Sequence, residues 1–265
     1  MIRRIIKFFK GVFKSKHSVS SSSEDNASFE TLGESPVLSD MPTSQKKVLL
    51  RYPKAIEGRR MVTYGRYRYG YPEGVVIHYT AGWDRDFKDA LNTFNWGVDE
   101  KLCFDLIAPK GELITGAPLD EFGSHAGLSK WKGLPGDRLS KFLRGIEVAS
   151  GGKLNRNLET DFHRKYTDDQ VRTLDFTTPE WGQAGIYSKF TKEQEATLTD
   201  YILWLYKNSP IRNGERVFKL DFVLAHHEVS GLAGLGYWRK PDCGGCLSMP
   251  MNMYRDYLKE LARGI

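Results

Sequence analysis

A chain of 265 residues, 40% hydrophobic and 27% charged, can bury a sizeable core and has the composition of a soluble globular protein. Its formal charge of +6 equals the six cations of residues 1–16 (Arg3, Arg4, Lys7, Lys10, Lys14, Lys16), so the remainder is neutral and has no overall basic bias for nucleic acid. Three cysteines cannot all pair, which excludes a disulfide framework.

Residues 1–16 read as an amphipathic helix, with Ile2, Ile5, Ile6, Phe9, Val12 and Phe13 on one face and Arg3, Lys7, Lys10 and Lys14 on the other. At 1.5 Å per residue it would be about 24 Å long and broken by lysines, too short to span a bilayer. No uninterrupted apolar stretch or small-residue cleavage site follows, so it is not a secretory signal. The pattern fits a helix lying on an anionic membrane surface, with a basic tail or a partner-docking helix as the plainer reading. Residues 17–46 are serine-rich with scattered acids, Gly33, Pro36 and Pro42, and hold too few apolar groups to offset ordering: a disordered linker.

The folded domain is expected over 47–265. Gly74–Tyr79 is a short β-branched run ending in histidine, residues 84–96 have helical spacing, and Leu102–Ile107 with Glu112–Ile114 read as a hairpin around Pro109-Lys110-Gly111. Gly145–Ala149 is another strand. Thr191 with Gln194 three residues later marks a helix start, and the helix runs to Pro210. Val217–Val229 is expected as a strand delivering His226, and Met253–Leu261 as a closing helix. Alternating strands and helices predict a single α/β domain with a central mixed sheet flanked by helices.

Two histidines at the ends of apolar strands, His78 and His226, could meet over one sheet edge, where α/β proteins build sites. Asp242 or Cys243 could complete a three-ligand zinc site with an open fourth position. Glu147, flanked by Ile146 and Val148 that point the other way, faces either solvent or a site, and Lys240 is similarly ambiguous. Cys243 and Cys246 form one C-x-x-C, without the second pair a structural zinc ribbon needs, and are open to reading as buried thiols, a disulfide or metal ligands.

The order of five stretches sharpens this: Val76-Ile77-His78-Tyr79-Thr80-Ala81-Gly82, Ser124-His125-Ala126-Gly127-Leu128-Ser129-Lys130-Trp131-Lys132-Gly133, Arg144-Gly145-Ile146-Glu147-Val148, His226-His227-Glu228-Val229 and Lys240-Pro241-Asp242. The succession resembles the zinc-dependent N-acetylmuramoyl-L-alanine amidases of phage endolysins, bacterial cell-wall amidases and peptidoglycan-recognition proteins, over roughly residues 70–250. The resemblance implies zinc on His78, His226 and Asp242, Glu147 as the catalytic acid position and Lys240 as the lysine beside it. His125, Tyr79 and Trp131 would line the substrate side, and the partner would be bacterial peptidoglycan. Departures are a longer loop between His226 and Lys240, Asp242-Cys243-Gly244 where many relatives have Asp-Pro-Gly, and Leu102-Cys103-Phe104 in place of a usual serine-x-histidine. A non-cutting peptidoglycan-binding protein and a zinc peptidase on another amide are the alternatives. With no export signal, the chain fits a phage-encoded enzyme made in the host cytoplasm and acting at the cell wall.

Overall fold

The computed structural model describes residues 51–82, 85–230 and 240–265. The predicted segment 1–16, the linker 17–46 and most of the loop between His226 and Lys240 lie outside these residues. Among the described residues no helix is long and apolar enough to cross a membrane.

Six strands form the central sheet: β1 (Ile56–Glu57), β2 (Gly74–Tyr79), β3 (Asp105–Ile107), β4 (Leu113–Thr115), β5 (Leu143–Val148) and β6 (Val223–Ala225). Their spatial order is β1-β4-β3-β5-β2-β6, and only the β3–β4 hairpin is antiparallel. The sheet is therefore mixed, as expected. Its strand β2 is buried on both faces over Gly74–His78, which suits its continuous run Val75-Val76-Ile77.

Three helices cover it: α1 (Phe87–Asp99), α2 (Lys192–Lys207) and α3 (Met251–Ala262). On one face Leu198, Tyr201, Ile202 and Leu205 of α2 and Tyr254 and Leu258 of α3 pack with Val75, Ile77, Ile146, Val148, Val223 and Ala225. The other face is shared between α1, whose Ala90 and Phe94 meet Phe104, Leu106 and Ile114, and a cluster of Val76, Leu143 and Leu224 with Leu134, Leu139 and Val229. The start of α2 is the predicted reciprocal cap: Thr191 Oγ1 accepts the Gln194 N–H at 3.1 Å and Gln194 Oε1 accepts the Thr191 N–H at 2.9 Å. The first helix begins at Phe87 rather than residue 84, because Asp86 caps it by accepting the Asp89 N–H.

Two features depart from expectation. Of the strand expected over 217–229, only Val223–Ala225 is strand; Leu220–Phe222 is a tight 3₁₀ turn and His226–Val229 a single helical turn. Residues 153–188 form a separate antiparallel sheet from Lys153–Leu154, Val171–Leu174 and Gly185–Ser188, whose short irregular strands leave a weak period-2 signal.

One buried ion pair ties hairpin, sheet and helix together. Arg144 on β5 grips Asp105 on β3 with two N–H groups, one at 2.6 Å, and also donates to the carbonyls of Ala117 and Pro118 at 3.0 Å. The Tyr201 hydroxyl of α2 donates to Asp105 at 2.8 Å. A buried pair is safe only while every member is satisfied, so removing one partner strands the other charge. Asp105→Ala should cost about 3–5 kcal/mol of unfolding free energy. Tyr201→Phe deletes one donor and leaves the pair, and should cost about 1.5–3 kcal/mol. Urea denaturation of the two variants checks the ranking, and an equal, negligible loss for both would contradict it.

Candidate metal centre

Paired residues of parallel strands share a face. The register sets His78 opposite Glu147 across β2 and β5, and Ile77 opposite Ala225 across β2 and β6, so His226, the next residue, arrives beside His78. Three groups distant in sequence thus meet at the carboxyl edge of adjacent parallel strands, the usual place for a site in an open α/β sheet. The chain stops being strand after Ala225 because Glu228 reaches back: its carboxylate accepts the Ala225 N–H at 2.9 Å while two 3.0 Å hydrogen bonds from Arg255 of α3 hold it. The His227 N–H then donates to the Asp242 carbonyl at 2.5 Å, which draws the late carboxylate against His226.

The outcome is a buried triangle. His78 Nδ1 lies 3.0 Å from His226 Nδ1, and the two nitrogens lie 3.2 and 2.8 Å from Asp242 Oδ2. The three residues are 2%, 5% and 7% exposed. A tetrahedral zinc with bonds of about 2.0–2.2 Å holds its ligand atoms about 3.3 Å apart, so these edges fall within a few tenths of an ångström of a zinc tripod. Burial first, and then the neighbouring His226, lower the His78 pKa to about 4, so it is a neutral imidazole at pH 7. Burial opposes ionisation of Asp242, but the two imidazoles against it outweigh burial and hold the carboxyl well below its usual range. Neutral nitrogen and anionic oxygen donors converging on one point suit a divalent cation of zinc's character. Among the described residues, His78, His226 and Asp242 are the group with metal-holding geometry.

Around the triangle, the H-A-G-x-S stretch folds into a braced turn. Ser140 Oγ accepts the N–H groups of His125 and Ala126 at 3.2 and 3.0 Å, and Gly127 takes φ +57°, which an L side chain rarely adopts. Ser129, fully buried, donates to the Gly127 carbonyl and accepts the Leu139 N–H. His125 Nδ1 stands 3.1 Å from His78 Nε2, and the Ala126 carbonyl is 3.2 Å from His226 Nε2. Burial, and His78 next to it, push the His125 pKa well below the ordinary histidine value.

The remaining sequence candidates divide. Glu147 is half-buried and in register with His78. Lys240 is close enough for its charge to lower the His78 pKa further. Trp131 packs on the Leu134–Leu143 cluster, with the Arg255 guanidinium 5.9 Å from its ring centroid. Tyr79 alternates to the opposite face from His78, where it packs on the main core and accepts the Lys153 N–H. Cys243 and Cys246 are free thiols in the same core, and burial pushes both well above the ordinary thiol range. A cavity of about 400 Å³ lined by Tyr166, Arg172, Lys189, Glu195 and Cys246 includes none of the triangle's residues. Sequence reasoning gave no role to Ser140, Glu228 or Arg255; Ser140 meets Ala126 and His125 across 14 and 15 residues, and Arg255 meets Glu228 across 27.

No family model and no curated protein matches this sequence. Among solved structures, the chain is similar to a selenomethionine derivative of AmpD, with 18% identity, a TM-score of 0.45, and 78% of this chain and 95% of that one covered. It is also similar to AmpDh3 from Pseudomonas aeruginosa in complex with anhydromuramic pentapeptide, at 17% identity and a TM-score of 0.45, covering 80% of this chain and 66% of that one. The N-acetylmuramyl-L-alanine amidase AmiD from E. coli, in complex with anhydro-N-acetylmuramic acid-L-Ala-D-γ-Glu-L-Lys, matches at 20% identity and a TM-score of 0.38 over 68% of this chain and 52% of its own.

The choice of third ligand is testable. Cys243 packs in the apolar core and is not among the residues whose ligand atoms converge, whereas Asp242 Oδ2 lies within 3.2 Å of both nitrogens. Asp242→Ala should therefore bind zinc far more weakly than the parent, and Cys243→Ser should bind it nearly as tightly. Zinc stoichiometry after dialysis, by mass spectrometry of the metal, measures this; zinc lost from the serine variant would reverse the assignment.

Proposed function

We propose that the chain is a zinc-dependent N-acetylmuramoyl-L-alanine amidase that hydrolyses the amide joining the lactyl group of N-acetylmuramic acid to L-alanine of the peptidoglycan stem peptide. The observation that carries the reading is the buried triangle of His78 Nδ1, His226 Nδ1 and Asp242 Oδ2, with Glu147 in register beside it. The substrate class comes from the motif order, in which the strand ending H-Y-T-A-G and the H-A-G-x-S-x-W-x-G string are the specific parts.

His78, His226 and Asp242 would hold a zinc ion, which would supply Lewis acidity toward water and the scissile carbonyl. Of the three groups only the Asp242 carboxylate would offset a dication's charge, which would preserve that acidity. Glu147, one strand over from His78, takes the proton of the attacking water on its carboxylate and delivers it to the departing alanine nitrogen. Lys240 brings an ammonium to the side of His78, where it stabilises the negative charge that grows on the carbonyl oxygen. Residues 1–16 would add a hold on an anionic membrane surface while the domain works on the wall.

The test is release of new alanine N-termini from purified peptidoglycan, with and without a chelator. Glu147→Ala should keep its zinc while kcat falls about 10²–10⁴-fold, and Lys240→Ala should lose about 10²–10³-fold. His78→Ala should lose metal and activity together. Wild-type turnover by the Glu147 variant would refute its role, and chelator-insensitive cleavage would refute the metal's.

A further inference from the structure

The geometry points to the H-A-G turn as the device that sets both imidazoles of the triangle in the tautomer a metal needs: His125 positions His78 through a histidine-to-histidine hydrogen bond, and the Ala126 carbonyl positions His226. This rests on the metal centre proposed above for its purpose, but not for its hydrogen bonds.

The argument starts from a carbonyl. His125 Nε2 lies 2.8 Å from the Leu143 carbonyl oxygen. A carbonyl only accepts, so the proton of the neutral His125 ring is on Nε2 and its Nδ1 presents a lone pair. That lone pair sits 3.1 Å from His78 Nε2, so the N–H there belongs to His78. With Nε2 of His78 protonated, its Nδ1 is left as a lone pair facing His226 and Asp242. The same reasoning applies to His226. Its Nε2 is 3.2 Å from the Ala126 carbonyl oxygen, so Nε2 donates and Nδ1 is turned into the triangle. One turn therefore governs two ligands, one from β2 and one from the helical turn after β6.

The surroundings are shaped for this. The two rings of His78 and His125 meet nearly at right angles, 87°, which lets Nε2–H aim at the neighbouring Nδ1 in the plane of its ring. His125 lies over β5 at Gly145, where a Cβ would stand 2.6 Å from His125 Cγ and 3.0 Å from its Cβ and Cδ2. Only a residue without a side chain leaves room for the ring at that point. Ser140 holds the backbone of both His125 and Ala126, so ring and carbonyl move as one body. His125 is thus a positioning residue, where the motif resemblance alone implied a contact with substrate. Groups that orient metal-binding histidines in this way commonly contribute 10–100-fold to metal affinity.

The experiment is long-range ¹H–¹⁵N NMR on the ¹⁵N-labelled full-length protein, which has six histidines to resolve, in metal-free and zinc-loaded forms. In both forms His78 should carry its proton on Nε2 and show a ¹⁵N–¹⁵N coupling through the hydrogen bond to His125 Nδ1. A metal-free His78 protonated on Nδ1, or no such coupling in either form, overturns the inference. In parallel, zinc affinity is measured by chelator competition. His125→Leu and Gly145→Ala should bind zinc about 10–100-fold more weakly, whereas His125→Asn, which keeps an acceptor near the Nδ1 position, should recover most of the loss. Unchanged zinc affinity with a raised KM in His125→Leu would make the residue a substrate contact and also overturns it. Should the leucine variant fail to fold, the wild-type coupling and the asparagine variant still decide. If the protein shows this tautomer and this zinc dependence yet releases no alanine N-termini, the positioning role is supported and the amidase reading alone fails.

Discussion

The structure depends on the meeting of two imidazoles and a carboxylate at the end of a parallel sheet. Register does most of the work: β5, β2 and β6 run side by side, so Glu147, His78 and His226 reach the same edge at the same level, although they come from three separate parts of the chain. A slip of one residue in any of these strands would send the side chain to the opposite face. That face is filled by α2 and α3 packed on Ile77, Ile146 and Ala225, so a slip would bury an imidazole or carboxylate in hydrocarbon while exposing isoleucine. The apolar core thus enforces the polar site.

Bringing those groups together has a cost, because two imidazoles and a carboxylate are held within 2.8–3.2 Å of one another away from water. The surrounding bonds offset it. The Glu228–Arg255 pair pins the turn after β6 to α3, the His227 N–H pins Asp242, and the Ser140-braced turn pins the remote nitrogens. Deeper in the sheet, Arg144 and Asp105 lock β5 to the hairpin and to Tyr201 of α2. Each of these is a polar contact placed where apolar packing alone would leave the site edge free to shift. A cation in the triangle would complete the same logic, giving the three groups one common partner.

Much of this was readable from sequence where a local pattern reports a local cause. The β-branched run before His78, the alternation of Ile146, Glu147 and Val148, and the Thr191–Gln194 cap all announce the structure they form. Where the cause is distant, the sequence is silent. The run 217–229 looks like one strand because its apolar content is high, yet Glu228 and Arg255 end the strand at Ala225. The motif around His125 implies a place on the substrate side; the positioning role proposed for it rests on a carbonyl 18 residues on, at Leu143, and on Gly145 in the same strand, which leaves room for its ring. Tyr79 follows His78 directly, and strand alternation places it on the other face, packed on the main core, where the Asp242 charge still reaches it.

X-ray absorption at the zinc edge of the loaded, full-length protein tests the central claim most directly. The account predicts one zinc per chain with two imidazole nitrogens and carboxylate or water oxygen at about 2.0–2.2 Å, and no sulfur. A sulfur shell at about 2.3 Å, or a protein that takes up no zinc at all, would contradict it.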